Sequence, residues 1–161
     1  MDRKLADAIN EQIKNEFYSS YLYLSMAAYL ESVNLEGFAH WMKIQAKEEI
    51  SHAMRFFDYM TDVSERVILD AIAKPPSRFT SPLDIFQQTL VHEKKVTGMI
   101  LHLCAVAEKT GDVATSTMLP WFVTEQVEEE KNAGLIVEQL KGMDYNKPGL
   151  LILDRKLARR K

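Results

Sequence analysis

Five residues stand where their types and spacing imply chemistry: Glu16, Glu49, His52, Glu93 and Glu129. Each interrupts a row of apolar side chains at helical period, since residues three, four and seven apart share one helix face. Ile9, Glu16, Tyr23 and Leu30 form one row, and Met42, Gln45, Glu49, His52, Phe56 and Tyr59 a second. Phe86, Leu90, Glu93, Ile100 and Ala107 form a third, and Phe122, Gln126, Glu129, Ala133, Ile136 and Leu140 a fourth. The interruption falls near the middle of each stretch. Helices packed antiparallel would bring those middles to one level, with four carboxylates in one interior.

Burying one unpaired charge is already costly, and like charges push each other's pKa upward. No Lys or Arg sits on these rows near that level. Two divalent cations would balance four carboxylates, and His52 adds a neutral nitrogen on the face of Glu49, so Glu49-x-x-His52 has metal-ligand spacing. One Glu on an apolar row, taken alone, reads as a side chain snorkelling to water, and His52 alone as a hydrogen-bonded core histidine. Four interruptions at matching depth favour the metal cluster. Glu48, Glu125 and Glu128 flank this set by one residue, about 100° round their helices, and suggest a third, weaker metal site. Glu130 reads as part of a solvated acidic face.

These residues need helices to position them, and the chain is helical in pattern almost throughout. The expected first helix runs from about Arg3 to Ser32, without Gly or Pro. Asn34-Leu35-Glu36-Gly37 supplies a turn, and a second helix covers about Gly37 to Ser64. A structureless segment from about Val67 to Thr80 contains Pro75-Pro76. Ser81 is an expected N-cap, with Pro82 in the first turn, for a third helix ending near Thr110. Gly111 suits a C′ position and Asp112 an N-cap for the fourth helix, which ends near Lys141-Gly142. Pro120 falls inside that helix and removes the bond to the Ser116 carbonyl, so the helix should kink there or its regular part should begin there. After Tyr145-Asn146-Lys147-Pro148 a short fifth helix covers about 147–159, and Arg159-Arg160-Lys161 reads as its solvated end.

Two short connections and one long one predict an all-α, antiparallel four-helix bundle over about 3–141, with a long crossover between helices two and three. The terminal helix completes a single domain, 1–161. The 161 residues carry 23 acidic and 20 basic side chains, a formal charge of −3, which argues against nucleic-acid binding through general basicity. One cysteine, Cys104, excludes a disulfide framework and a four-cysteine metal centre. There is no signal-like leader and no run of about 18 apolar residues, so the expected setting is cytoplasmic, with no membrane partner.

The segments Asn15-Glu16-Phe17-Tyr18-Ser19-Ser20-Tyr21-Leu22-Tyr23, Glu48-Glu49-Ile50-Ser51-His52, His92-Glu93 and Trp121-Phe122-Val123-Thr124-Glu125-Gln126-Val127-Glu128-Glu129-Glu130 resemble, in order, the four helix motifs of the non-haem ferritins of bacteria and archaea. The resemblance covers nearly the whole chain. It implies a ferritin-like fold and a ferroxidase centre for iron, two ions per subunit with a third site. Glu16, Glu49 and His52 would bind the first ion. Glu49 would bridge to the second, which Glu93 and Glu129 complete. Gln126 belongs to the same metal-facing set and would orient oxygen species or water. Glu48, Glu125, Glu128 and Glu129 match the third site, and Tyr23 matches a tyrosine beside the dimetal centre, an electron donor or simply a core aromatic. Haem-binding bacterioferritins carry Met after the bridging Glu and a second Glu-x-x-His on the fourth helix. Ile50 and Gln126-x-x-Glu129 stand there instead, so no haem is expected. Rubrerythrins carry a four-cysteine iron domain, which one cysteine excludes.

The resemblance further implies Fe(II) oxidation by dioxygen or peroxide, with mineral stored in a homo-oligomeric shell, a 24-mer. Leu150, Leu151, Leu153 and Leu157 would pack near its four-fold axis or dock on their own bundle. Two other readings stand beside it. A DNA-protecting mini-ferritin would place its iron site between subunits and its extra helix in the long connection. A metal-free structural bundle would bind no iron at all.

Overall fold

The computed structural model describes residues 1–143 and 147–161. Its elements are α1 (Arg3–Ser32), α2 (Glu36–Asp62), α3 (Pro82–Thr110), α4 (Val113–Gly142) and α5 (Lys147–Leu157). Tyr145 and Asn146, half of the expected break before the fifth helix, lie outside the described residues, while Lys147 and Pro148 form the first turn of α5.

Three helices end in the same way. Asn34, Ser64 and Gly111 take φ of 57°, 60° and 67°. Each lets the next N–H reach back to a carbonyl five residues earlier: Leu35 to Leu30, Glu65 to Met60, Asp112 to Ala107. This corrects two expected boundaries. Ser64 is the left-handed residue outside α2, which stops at Asp62, and α2 begins at Glu36, one residue before Gly37. Ser81 and Asp112 cap as expected, accepting from the N–H of Asp84 (3.0 Å) and Thr115 (2.9 Å).

The core divides into two apolar clusters. One joins the N-terminal half of α1 (Leu5, Ile9, Ile13), the C-terminal halves of α2 (Phe56, Met60) and α3 (Val96, Ile100, Leu103), and the N-terminal half of α4 (Leu119, Phe122). The other joins the opposite halves and α5, including Met26, Leu30, Phe38, Met42, Phe86, Ile136, Leu140, Leu153 and Leu157. This pairing makes α1 antiparallel to α2 and α3 antiparallel to α4, while α2 and α3 run the same way. Two successive helices that run the same way need a connection the length of the bundle, and residues 63–81 provide it along α1. The Ile68 N–H donates to Asn10 Oδ1, and farther on Ser25 Oγ donates to the Pro76 carbonyl and Phe79 packs on Tyr29. In every long helix the switch from one cluster to the other falls at the expected glutamate.

Pro120 does not start the regular part of α4, which already runs helically from Val113. Both Pro120 and Ser116 are exposed, so the carbonyl deprived of its partner lies on the wet side of the helix. Among the described residues no helix is long and apolar enough to cross a membrane.

The tail meets one of its two expected placements for the leucines and departs from expectation at Arg160. Leu153 and Leu157 are buried and Leu150 packs against the same cluster, so these three dock on their own bundle; Leu151 and Ile152 stay exposed. Arg160 is not a solvated helix end. It folds back on α2, with its guanidinium over the Trp41 ring (4.3 Å to the centroid) and its carbonyl bonded to His40 Nε2 (2.8 Å).

Candidate metal centre

Between the two apolar clusters lies a polar layer. Glu16, Tyr23, Gln45, Glu49, His52, Glu93, Gln126 and Glu129 are all buried, none more than 6% exposed. Glu16, Glu49 and His52 each offer a ligand atom, and these atoms lie within 4.8 Å of one another. Among the described residues this is the one group of three potential ligands so arranged.

Each carboxylate is held by a neighbour. Gln12 Nε2 donates to Glu16 Oε1 (2.8 Å), but Glu16 Oε2 is buried with no hydrogen-bond partner. His52 Nδ1 lies 3.3 Å from Glu49 Oε2. Gln45 Nε2 donates to Glu129 Oε2 (2.7 Å) and, more distantly, to Glu49 Oε1 (3.4 Å). The Tyr23 hydroxyl donates to Glu93 Oε1, while Gln126 Nε2 donates to Glu93 Oε2 at 3.1 Å. His52 stands edge-on to Trp121 and Phe122, which close its apolar side.

The flanking acids are arranged differently. Glu48, Glu125 and Glu128 do not bring ligand atoms within 4.8 Å of one another. Glu48 and Glu125 are half-buried and Glu128 is exposed. Glu130, expected on a solvated face, is half-buried and accepts from Thr97 Oγ1 at 2.6 Å.

A family model described as a ferritin-like domain matches residues 6–143. The chain belongs to the ferritin family. It is 39% identical over 160 residues to a bacterial non-heme ferritin of Bacteroides fragilis, covering 99% of each. It is 36% identical to another from Staphylococcus saprophyticus, covering 99% of this chain and 96% of that one. It also superimposes on the crystal structure of an open pore ferritin from the archaeon Archaeoglobus fulgidus with a TM-score of 0.99 at 45% identity, covering 100% of this chain and 99% of that one.

In this ferritin the electrostatics of the layer follow from crowding. Burial, then the neighbouring Glu49, raises the Glu16 carboxyl well above its usual range. Glu49 is raised by burial and by Glu93 and Glu129. Glu93 is raised chiefly by burial, and Glu129 is pushed up to about 7 by burial and Glu93. Burial and Glu93 also hold the Tyr23 phenol well above its ordinary value. His92, next to Glu93, is brought down to about 4, mainly by burial, so its ring is neutral at pH 7 and pairs with Ser19 Oγ at 2.8 Å. Removed from water and facing one another, the carboxylates favour either protons or metal ions as counter-charge. An oxygen-rich pocket with one imidazole suits a hard or borderline divalent cation such as Fe(II).

Two contributors to the layer, Gln12 and Arg160, were not singled out in the sequence. Gln12 precedes Glu16 by four residues, as Gln45 precedes Glu49, and that repeated spacing was a readable signal. Arg160 left no such signal. Its Nη1 donates to Gln45 Oε1 (2.9 Å) and the Trp41 carbonyl (3.3 Å), and its Nη2 to Glu48 Oε2.

Proposed function

We propose that this chain is the subunit of an iron-storage shell and that it oxidises Fe(II) within its own four-helix bundle. The observation that carries the reading is the buried layer of four carboxylates from four helices, with Glu16 Oε2 left without a hydrogen-bond partner. An orphaned buried carboxylate oxygen is costly, and a cation held with Glu49 and His52 relieves that cost. Family membership supports iron storage as the overall role.

In this reading iron is the substrate and the protein supplies its ligands. Glu16, Glu49 and His52 bind one Fe(II), Glu49 bridges, and Glu93 and Glu129 hold the second. Gln126, anchored on Glu93, orients the oxidant or water beside the pair. Each Fe(II) gives one electron to dioxygen or peroxide, and anionic oxygen ligands favour the ferric product. Tyr23, bonded to Glu93, is placed to donate an electron or simply to steer that carboxylate. Glu48, Glu125 and Glu128, with Glu129, hold iron more loosely on its way to an interior cavity. Storage of a mineral requires that cavity and hence a shell of subunits, for which the family resemblance implies a 24-mer; the reading takes a cytoplasmic setting and no haem.

The test combines solution mass with oxygen-dependent Fe(II) oxidation. The expected result is a species of 24 chains that oxidises Fe(II) in air, and a Glu49→Ala/His52→Ala variant that keeps the assembly but falls to the uncatalysed rate. A wild-type chain without oxygen-dependent oxidation, or a double variant as active as wild type, rules the reading out.

A further inference from the structure

The last ordered turn of the chain delivers a cation to the edge of the carboxylate layer. Arg160 stacks on Trp41, and its guanidinium serves the Trp41 carbonyl, Gln45 Oε1 and Glu48 Oε2 together. Gln45 is fully buried, and its amide N–H groups face Glu129 and Glu49. With Arg160 on one end of the amide and carboxylates on the other, Gln45 has one satisfied orientation. Glu48 is half-buried; its charge helps raise the Glu129 carboxyl on the inner side, and Glu125 on the outer side helps raise Glu48 itself.

We propose that Arg160 is a positioning residue of the metal centre with two linked roles. It fixes Gln45, and through it Glu129, in the geometry that receives a metal ion, and it holds Glu48 as a built-in cation that an incoming metal ion must displace. The planar fork is what permits both, because one guanidinium reaches two acceptors at fixed angles while a lysine ammonium is a point charge. The tail can hold this place because Leu153 and Leu157, buried seven and three residues before it, anchor α5 on α2. The inference rests on the reading of Glu16, Glu49, His52, Glu93 and Glu129 as metal ligands and of Glu48 as part of a weaker site.

The two roles predict opposite effects, which damage to the fold would not produce. The test is an anaerobic Co(II) titration of the metal-free, assembled full chain, read by calorimetry and by the Co(II) absorption spectrum. In Arg160→Ala the inner, tight step is expected to weaken about tenfold, the order of one lost charge-assisted hydrogen bond. The outer, weak step is expected to tighten by a similar factor. In a Glu48→Gln background, removing Arg160 tightens nothing. Arg160→Lys keeps the charge but not the fork, so it leaves the outer step near wild type and weakens the inner one. That variant carries the test if Arg160→Ala fails to assemble. Unchanged titrations in both Arg160 variants, or equal weakening of both steps with a lowered melting temperature, overturn the proposal. If wild type takes up no Co(II), the metal reading itself falls and this inference with it.

Discussion

Asp154 Oδ1 accepts a hydrogen bond from the backbone N–H of Phe38 at 3.0 Å. The N-cap residue of α2, Leu35, makes no side-chain cap of its own. The fifth helix therefore supplies a cap that the second helix lacks, and the acid also complements the positive end of the α2 dipole.

Asp154→Ala should cost about 1 kcal/mol, the usual loss for a helix cap, and should loosen α5. Thermal melting gives the first effect, and faster cleavage of residues 147–161 by limited proteolysis gives the second. Asp154→Asn keeps an acceptor and should retain most of the stability.

Gly37 allows the same contact. A Cβ there would stand 1.8 Å from the Asp154 carbonyl oxygen, a backbone atom that cannot move alone. Gly37→Ala should thus destabilise by about 1–3 kcal/mol despite Ala being the better helix former. At Gly98 nothing lies within 4 Å of an added Cβ, so Gly98→Ala should stabilise by up to about 1 kcal/mol. Denaturant midpoints of the two variants should move in opposite directions.

Metal-free protein should lose stability as pH rises. The Glu129 carboxyl, at about 7 in the fold against an ordinary 4.5, keeps its proton where the unfolded chain has lost it. The folded state binds more protons in that window, so its stability falls from about pH 4.5 to about 7. Glu16, Glu49 and Glu93 are raised too and act in the same sense. Glu129→Gln should flatten the slope of melting temperature against pH. Added Co(II) should flatten or reverse it, because the metal binds the deprotonated ligands.

Tyr23→Phe removes a buried donor from Glu93 Oε1. The expected cost is about 1–3 kcal/mol, the range for a buried acceptor left unmatched. In a double-mutant cycle with Glu93→Ala most of that cost should vanish, since the acceptor is gone. Full additivity would mean that the hydroxyl matters only for packing.

Much of this molecule was legible in its sequence. Glu16, Glu49, Glu93 and Glu129 were recognisable because a helix repeats every 3.6 residues, and a polar residue on an apolar row is visible without a structure. The caps at Ser81 and Asp112 and the close at Gly111 were readable for the same local reason. The left-handed Ser64 was not, since Ser carries no strong preference for that conformation, and α2 ends short of the expected boundary. Pro120 was legible as a fault, but whether α4 survives it depends on water reaching Ser116, a property of the folded surface.

The sequence by itself determined the helices, their inward faces and the acids on them, because those properties depend on neighbours within about two turns. Only the tertiary structure decided that Arg160 reaches Gln45 and Glu48, that Asp154 caps a helix more than 110 residues earlier, and that Gly37 must lack a side chain. These contacts join chain segments far apart in sequence. Their partners are chosen by how α5 docks on α2, and no local spacing encodes that docking.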